Sequence, residues 1–193
     1  MLAGGRASRL RGTPKPGLLL DGSRLLDRAL AAVAGAAATA VVGPDDLAGT
    51  VGTAILTRED PPFGGPVAGI DAGLRALDRP GAPGVVVLLA VDVPGASRAV
   101  PRLLAALTDD ADGACLDRDG HPQWLIAAIR RDRLTGALVT LHAQAGSVHD
   151  QPVRRLVAPL RLVGVPDDDG ASDDVDTWDD LARLEAAARK GMR

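Results

Sequence analysis

The segment Val85-Val86-Val87-Leu88-Leu89-Ala90-Val91-Asp92-Val93-Pro94 decides the fold class of this chain. Its seven consecutive apolar residues predict a strand buried on both faces, as in a parallel sheet that helices cover on both sides. A lone carboxylate inside such a sheet is costly, so Asp92 is expected to emerge where the strand ends. The segment is the longest apolar run in the sequence and is too short to span a bilayer.

Strand-like and helix-like segments alternate on both sides of this strand. The alternation predicts a three-layer, Rossmann-like α/β fold with a mostly parallel sheet. No internal repeat or linker divides the sequence, so residues 1–193 are expected to form one domain. Further strands are predicted at residues 40–42, 53–57, around 114 and 160–165, and helices at 25–33, 66–77, 100–107 and after a cap at Thr177. Residues 124–129 form a further apolar stretch.

Composition excludes several classes of protein. The formal net charge is −3 and no basic run occurs, so no nucleic-acid partner is expected. The single cysteine, Cys115, excludes an internal disulfide and a cysteine-based zinc site. Because the sequence begins with glycine and arginine rather than an apolar signal segment, we expect a cytoplasmic protein without a membrane partner.

The N-terminal segment Leu2-Ala3-Gly4-Gly5-Arg6-Ala7-Ser8-Arg9-Leu10-Arg11-Gly12-Thr13-Pro14-Lys15 carries the clearest functional signal. Paired glycines expose backbone N–H groups to which a phosphate can bind, and the cations Arg9 and Lys15 follow closely. Lys15 is one of only two lysines in the chain, and a compact ammonium suits a phosphate oxygen in a tight pocket. A plain surface loop is the alternative. The segment matches neither a Walker A motif nor Gly-x-Gly-x-x-Gly.

Ligands of open α/β sheets bind beyond the carboxyl ends of the strands, where several polar groups are predicted here. Asp92 either binds a divalent cation that also contacts phosphate or caps the following turn. Asp174 and Asp176 form a second acidic pair before the last helix, where they also suit the helix dipole. The run Asp167-Asp168-Asp169 is expected to be a solvated turn.

Taken in order, these motifs resemble those of the molybdenum cofactor guanylyltransferases, the MobA-like nucleotidyltransferases. The family's Leu-Ala-Gly-Gly-x-x-x-Arg-Met/Leu-x-Gly-x-x-Lys opening is similar to residues 2–15, and its acidic pair before Gly-Pro-x-Ala-Gly resembles residues 59–69. Its Asp-x-Pro is matched at residues 92–94, and its closing acidic motif resembles residues 174–181. Gly43 stands where relatives often carry Asn.

The resemblance implies transfer of GMP from GTP to molybdenum-molybdopterin, which gives the guanine dinucleotide cofactor and diphosphate, with Mg²⁺ as cofactor. It implies three sets of site residues. The catalytic residues are Arg9, Lys15 and Asp92; the nucleotide-binding residues are Leu2, Ala3, Gly4, Gly5, Lys15, Gly43, Asp60 and Asp92; and the metal ligands are Asp92 and Asp176, with Asp174 as a further candidate.

The sequence leaves the acceptor open, because residues 120–147 carry few distinctive groups. His121, Gln123 and Trp124 are acceptor-contact candidates by position alone. A cytidylyl- or guanylyltransferase for another phosphorylated acceptor, such as phospholactate, is one alternative, and a nucleotide-binding pseudoenzyme is another. The implied partners are GTP and a molybdopterin-type acceptor, with transient contact to other molybdenum cofactor proteins and a monomeric or small homo-oligomeric state.

Only Met1 and Leu2 precede the paired glycines, whereas a strand usually needs about five or six residues. We therefore expect a truncated first strand, and we hypothesise that the natural start of the chain lies upstream of Met1.

Overall fold

Helices and strands alternate through the chain as the sequence predicts. The computed structural model describes residues 1–5, 10 and 12–191, without the side chains of 188, 190 and 191. The strands are β1 (Leu19–Leu20), β2 (Ser23–Arg24), β3 (Ala40–Val42), β4 (Ile55–Thr57), β5 (Val85–Leu89), β6 (Gly113–Arg118), β7 (His121–Arg130) and β8 (Leu162–Pro166). The helices are α1 (Leu25–Ala32), α2 (Gly65–Ala76), α3 (Ala96–Ala105), α4 (Arg131–Ala145), α5 (Val153–Val157) and α6 (Trp178–Gly191).

The central sheet has the order β4-β3-β5-β7-β6-β8, with Leu2 bridging β3 to the end of β5. The Leu2 N–H donates to the Leu89 carbonyl at 2.8 Å, and the Ala3 N–H donates to the Val42 carbonyl at 2.8 Å. Strand β7 is antiparallel to both of its neighbours, and the other pairings in this sheet are parallel. The predicted α/β fold with a mostly parallel sheet is confirmed. The N-terminal segment lies at the centre of the sheet as isolated bridges rather than a full strand.

Both faces of the sheet are covered, as the apolar run at β5 predicts. Leu89 packs in a core with α1 and α3, whereas Val86 and Leu88 pack in a second core with α2, α4 and α5. A third, smaller cluster lies apart from the sheet and joins the N-terminal loop to the segment before α6. In the described part of the chain, no helix is long and apolar enough to cross a membrane.

Several elements differ from the sequence prediction. Helices α4 and α5 were not predicted, although Leu134, Leu138 and Leu141 repeat at helical spacing on α4. The exposed Val139 and the glycine at residue 136 obscure that pattern. Helix α3 begins at Ala96, earlier than predicted, because its first turn follows Pro94-Gly95 directly.

The turn after Asp92 is packed against the segment that leads to α6. A Cβ atom added at Gly95 would lie 2.4 Å from the carbonyl oxygen of Ala171, which is far inside van der Waals contact. Only glycine fits there without moving backbone. The close approach therefore fixes the position of the segment around residue 171 relative to β5.

We expect Gly95→Ala to lower the free energy of unfolding by about 1–3 kcal/mol, because the added methyl group meets backbone that cannot move freely. Gly136→Ala is the matched control: it lies within α4, and an added Cβ there meets nothing within 4 Å. That control should gain roughly 0.5–1 kcal/mol from helix propensity. Urea unfolding measures both variants, and equal effects in the two would contradict the proposed contact.

Candidate functional site

The main cavity of the structure opens at the carboxyl ends of β3, β5 and the N-terminal segment. Its volume is about 650 Å³. Most of its lining residues are apolar or glycine, and the charged ones are Lys15, Arg58, Glu59, Asp92 and Asp176. The sequence-predicted residues that line it are Leu2, Ala3, Gly4, Gly5, Lys15, Gly43, Asp92 and Asp176.

Other predicted residues lie elsewhere. Arg9 falls outside the described residues. Asp60 is exposed and does not line the main cavity, whereas its neighbour Glu59 does. None of the three predicted acceptor contacts lines it either: Trp124 borders a separate cavity of about 290 Å³, and His121 and Gln123 border neither.

Three carboxylates meet beyond the end of β5; two of them, Asp92 and Asp176, line the main cavity, and the third, Asp174, is exposed and does not line it. Asp92, Asp174 and Asp176 each place an oxygen within 4.8 Å of the other two. The backbone brings them together, because the Val175 N–H donates to the Asp92 carbonyl at 3.0 Å. Such a group of hard oxygen donors can hold a divalent cation such as Mg²⁺.

Lys15 supplies positive charge to this cluster. Its Nζ lies 2.6 Å from Asp92 Oδ2 and also donates to Asp176 Oδ1. The lysine and Asp92 side chains are only 20% and 18% exposed. Burial opposes the charge on Lys15, but its hydrogen bonds to Asp176 and Asp92 prevail and raise its pKa. The ammonium therefore stays protonated and bound between the carboxylates at neutral pH.

The surroundings favour the charged form of Lys15 but disfavour the charged form of Asp174. Burial and the neighbouring charges of Asp176 and Asp92 raise the pKa of Asp174 above its usual value. Its neighbour Asp173 accepts hydrogen bonds from Arg118 and Arg183, and these outweigh burial and lower the pKa of Asp173. Adjacent aspartates thus differ in whether the fold favours their charge.

The acidic run 167–169 supports this site rather than forming a solvated turn, so that expectation was wrong for Asp167. The Asp167 side chain is buried and accepts hydrogen bonds from the backbone N–H groups of Ala171 and Ser172 at 2.7 and 3.0 Å. Asp169 pairs with Arg98 and Arg102 on α3. A buried, hydrogen-bonded carboxylate fixes the loop that carries Asp174 and Asp176.

Gly43 meets the cavity through its backbone. Its N–H donates to the Thr57 carbonyl at 2.9 Å, and a Cβ there would lie 2.9 Å from Leu47 Cδ1 and 3.3 Å from Ala3 Cβ. A side chain such as Asn would need Leu47 to move. The absence of a side chain is therefore consistent with the local packing.

Arg58, Glu59 and Phe63 form a wall of the main cavity. The sequence pointed to the acidic pair at 59–60 but assigned the nucleotide contact to Asp60, and it gave no role to Arg58 or Phe63. The Phe63 N–H donates to Glu59 Oε1 at 3.0 Å, and the Arg58 guanidinium lies 5.4 Å from the centre of the Phe63 ring. The available signal was compositional, because Phe63 is the only phenylalanine in the chain.

Known proteins are similar to this chain in sequence and in fold. A family profile, the MobA-like NTP transferase domain, matches residues 1–163. A molybdenum cofactor guanylyltransferase from Burkholderia vietnamiensis (strain G4 / LMG 22486) is 31% identical over 95% of this chain and 93% of the relative. The crystal structure of molybdopterin-guanine dinucleotide biosynthesis protein A from Archaeoglobus fulgidus has a TM-score of 0.71 at 23% identity, covering 98% and 97% of the two chains. A 2-C-methyl-D-erythritol 4-phosphate cytidylyltransferase from Thermus thermophilus shares the fold, with a TM-score of 0.66 at 20% identity over 97% of each chain.

The electrostatic contrast between the two adjacent aspartates is testable. At pH 7, Asp174→Asn should raise the free energy of unfolding by about 0.5 kcal/mol after solvent screening, because it removes repulsion from Asp92 and Asp176. Asp173→Asn should lower it by about 1 kcal/mol, because two arginine partners lose a charged acceptor.

The pH dependence gives the control. The raised pKa of Asp174 means that its charge destabilises the fold fully above that pKa. The destabilisation fades as the pH falls from the raised pKa to the ordinary pKa of an unfolded aspartate, so the gain in Asp174→Asn should vanish over that interval. The lowered pKa of Asp173 means that its charge stabilises the fold above the ordinary pKa of aspartate. That stabilisation is lost as the pH falls through the lowered pKa. Chemical denaturation between pH 3 and pH 8 measures both; the same sign for both variants at pH 7 would rule this assignment out.

Proposed function

Because the chain belongs to the MobA-like NTP transferase family, we propose that this nucleotidyltransferase transfers GMP from GTP to molybdenum-molybdopterin. The products are the guanine dinucleotide cofactor and diphosphate. One observation carries the proposal: Lys15, Asp92 and Asp176 come together in a cavity with several lining glycines, and Asp174 lies beside the two aspartates. That arrangement offers both charge neutralisation and hard oxygen ligands for a triphosphate and its cation.

The glycine loop supplies backbone donors for the nucleotide. The N–H groups of Leu2 and Ala3 are already used in the sheet, whereas those of Gly4 and Gly5 have no acceptor among the residues that the structure describes. Gly5 has a φ of 139°, a conformation that side chains disfavour. Gly4 and Gly5 are thus suited to donate hydrogen bonds to phosphate oxygens.

The donor set fits Mg²⁺, since three carboxylates with mutually close oxygens are the ligand type that this cation prefers. Bound there, Mg²⁺ would neutralise phosphate charge. Asp92 and Asp176 would hold it, with Asp174 completing the acidic cluster. Lys15 now lies between the carboxylates, and it is the group that would shift its ammonium towards the triphosphate.

The chain's own residues bind, orient and neutralise in the proposed reaction. A terminal phosphate oxygen of the acceptor attacks the α-phosphorus of GTP, and the bond from that phosphorus to the diphosphate oxygen breaks. The glycine loop orients the triphosphate, and Lys15 offsets the charge that develops on the departing diphosphate. Arg9 is predicted to assist, and it lies outside the described residues.

The decisive experiment incubates the purified protein with GTP, Mg²⁺ and molybdenum-molybdopterin, and measures diphosphate and the dinucleotide product. CTP and ATP serve as competing nucleotides, and 2-phospholactate serves as a competing acceptor. Release of diphosphate with CTP or with phospholactate, but not with the proposed pair, would assign a different transferase. GTP that raises the melting temperature without any turnover would instead indicate a nucleotide-binding pseudoenzyme.

We expect Asp92→Asn and Lys15→Met each to lower kcat/KM at least about a hundredfold, equivalent to roughly 3 kcal/mol of transition-state stabilisation. Both changes remove charge that faces the triphosphate. Asp71→Asn is the matched control, because Asp71 pairs with Arg75 on α2 and lines neither cavity. Steady-state kinetics, with melting temperatures to confirm folding, measure all three. Wild-type rates in Asp92→Asn would contradict the proposed site.

A further inference from the structure

Phe63 combines two unfavourable features at the edge of the main cavity. Its side chain is 54% exposed, although burial of a phenylalanine is normally favourable. Its φ of 66° lies in the left-handed region, which costs a residue other than glycine about 1–3 kcal/mol. Such features persist where surrounding structure enforces them, and they cluster where ligands bind.

The surrounding structure does enforce this conformation. Glu59 accepts a hydrogen bond from the Phe63 N–H at 3.0 Å. The next residue, Gly64, packs so closely on the His149 ring that an added Cβ would lie 2.2 Å from His149 Nδ1. The Gly64 carbonyl also accepts from the Asp150 N–H at 2.8 Å. The backbone is thus held on both sides of Phe63, and its ring lies in the cavity wall.

The order of the strands indicates which part of a ligand meets this ring. Asp92 follows β5, and Gly4 follows the N-terminal segment that lies next to β5. Gly43 follows β3, the next strand, and Arg58 follows β4 at the edge. The spacing of neighbouring strands puts the β4 end about 14 Å from the β5 end. If the α-phosphate lies at Lys15 and Asp92, the phosphates and ribose run past the lining glycines Gly4 and Gly43, and the base extends towards β4.

We propose that Phe63 is a stacking platform for the purine base of the nucleotide and sets a preference for purine over pyrimidine triphosphates. This inference rests on the proposed function of the same cavity. A purine presents a larger face to the ring than a pyrimidine, and base–aromatic stacking depends on that face. The Arg58 guanidinium lies over one face of the ring, so the base would stack on the other face. Because stacking does not read hydrogen-bonding edges, Phe63 does not distinguish guanine from adenine.

The test measures equilibrium binding of GTP, CTP and inorganic tripolyphosphate by calorimetry in the presence of Mg²⁺. Phe63→Ala should weaken GTP binding by roughly 10–100-fold. CTP binding should weaken less, and binding of tripolyphosphate, which has no base, should not change. Phe63→Leu keeps an apolar side chain of similar size without a ring and should show the same selective loss. Phe63→Tyr keeps the ring and should bind GTP as the wild type does.

Val139→Ala is the matched control, because Val139 is another exposed apolar residue, on α4, and lines neither cavity. It should leave the affinity for all three ligands unchanged. Melting temperatures of the variants without ligand report whether each one folds.

Several outcomes overturn the platform. Full GTP affinity in Phe63→Leu would show that bulk rather than stacking matters, and an equal loss of tripolyphosphate affinity would show a general structural role. Unchanged GTP affinity together with weakened binding of molybdopterin would assign the ring to the acceptor instead. If the wild type and Phe63→Ala bind GTP with the same affinity, only this inference is rejected. A wild type that binds no triphosphate rejects the proposed function and the platform together.

Discussion

The ionic contacts of Lys15 with Asp92 and Asp176 hold together the charged part of the main cavity. The three residues come from distant parts of the sequence, since the lysine is separated from its partners by 77 and 161 residues. Asp92, Asp174 and Asp176 lie close enough to repel one another strongly without a neighbouring cation. Lys15 offsets that repulsion, and it does so at the place where the N-terminal loop, the end of β5 and the start of α6 meet.

Charge alone does not assemble this end, because partly buried ions lose hydration when they are brought together. An apolar cluster beneath the ions compensates. Leu18 and Leu20 follow Lys15. They pack with Leu25 at the start of α1 and with Val175 and Leu181 around the start of α6. The hydrogen bond from Val175 to the Asp92 carbonyl then sets the register between β5 and the final loop. The apolar cluster therefore joins the N-terminal loop to the start of α6, and the ionic contacts with this hydrogen bond add the end of β5.

The sequence was informative where structure is determined locally. The run 85–91 predicts β5 and the emergence of Asp92, and Thr177 with Asp180 predicts the start of α6, where each side chain accepts a hydrogen bond from the other residue's backbone N–H. Features that depend on tertiary contacts were not predictable. Asp167 looks like one of several solvated aspartates and is buried, because backbone N–H groups of the following loop converge on its carboxylate. Likewise, only the loop conformation turns Glu59 rather than Asp60 towards the cavity.

The glycines of the cavity explain how a short N-terminal segment can hold a central position. A Cβ at Gly69 would lie 2.9 Å from Leu2 Cδ2, so α2 approaches the first residues of the chain as closely as backbone allows. That approach covers Leu2, while Gly4 and Gly5 line the main cavity with N–H groups that have no acceptor among the described residues. At Gly43 similarly tight packing leaves little room for a side chain, so this position lacks the amide that an asparagine would offer. In the proposed reaction, recognition of the nucleotide therefore falls to backbone donors in the middle of the cavity, to the ionic cluster at one end and to the aromatic wall at the other.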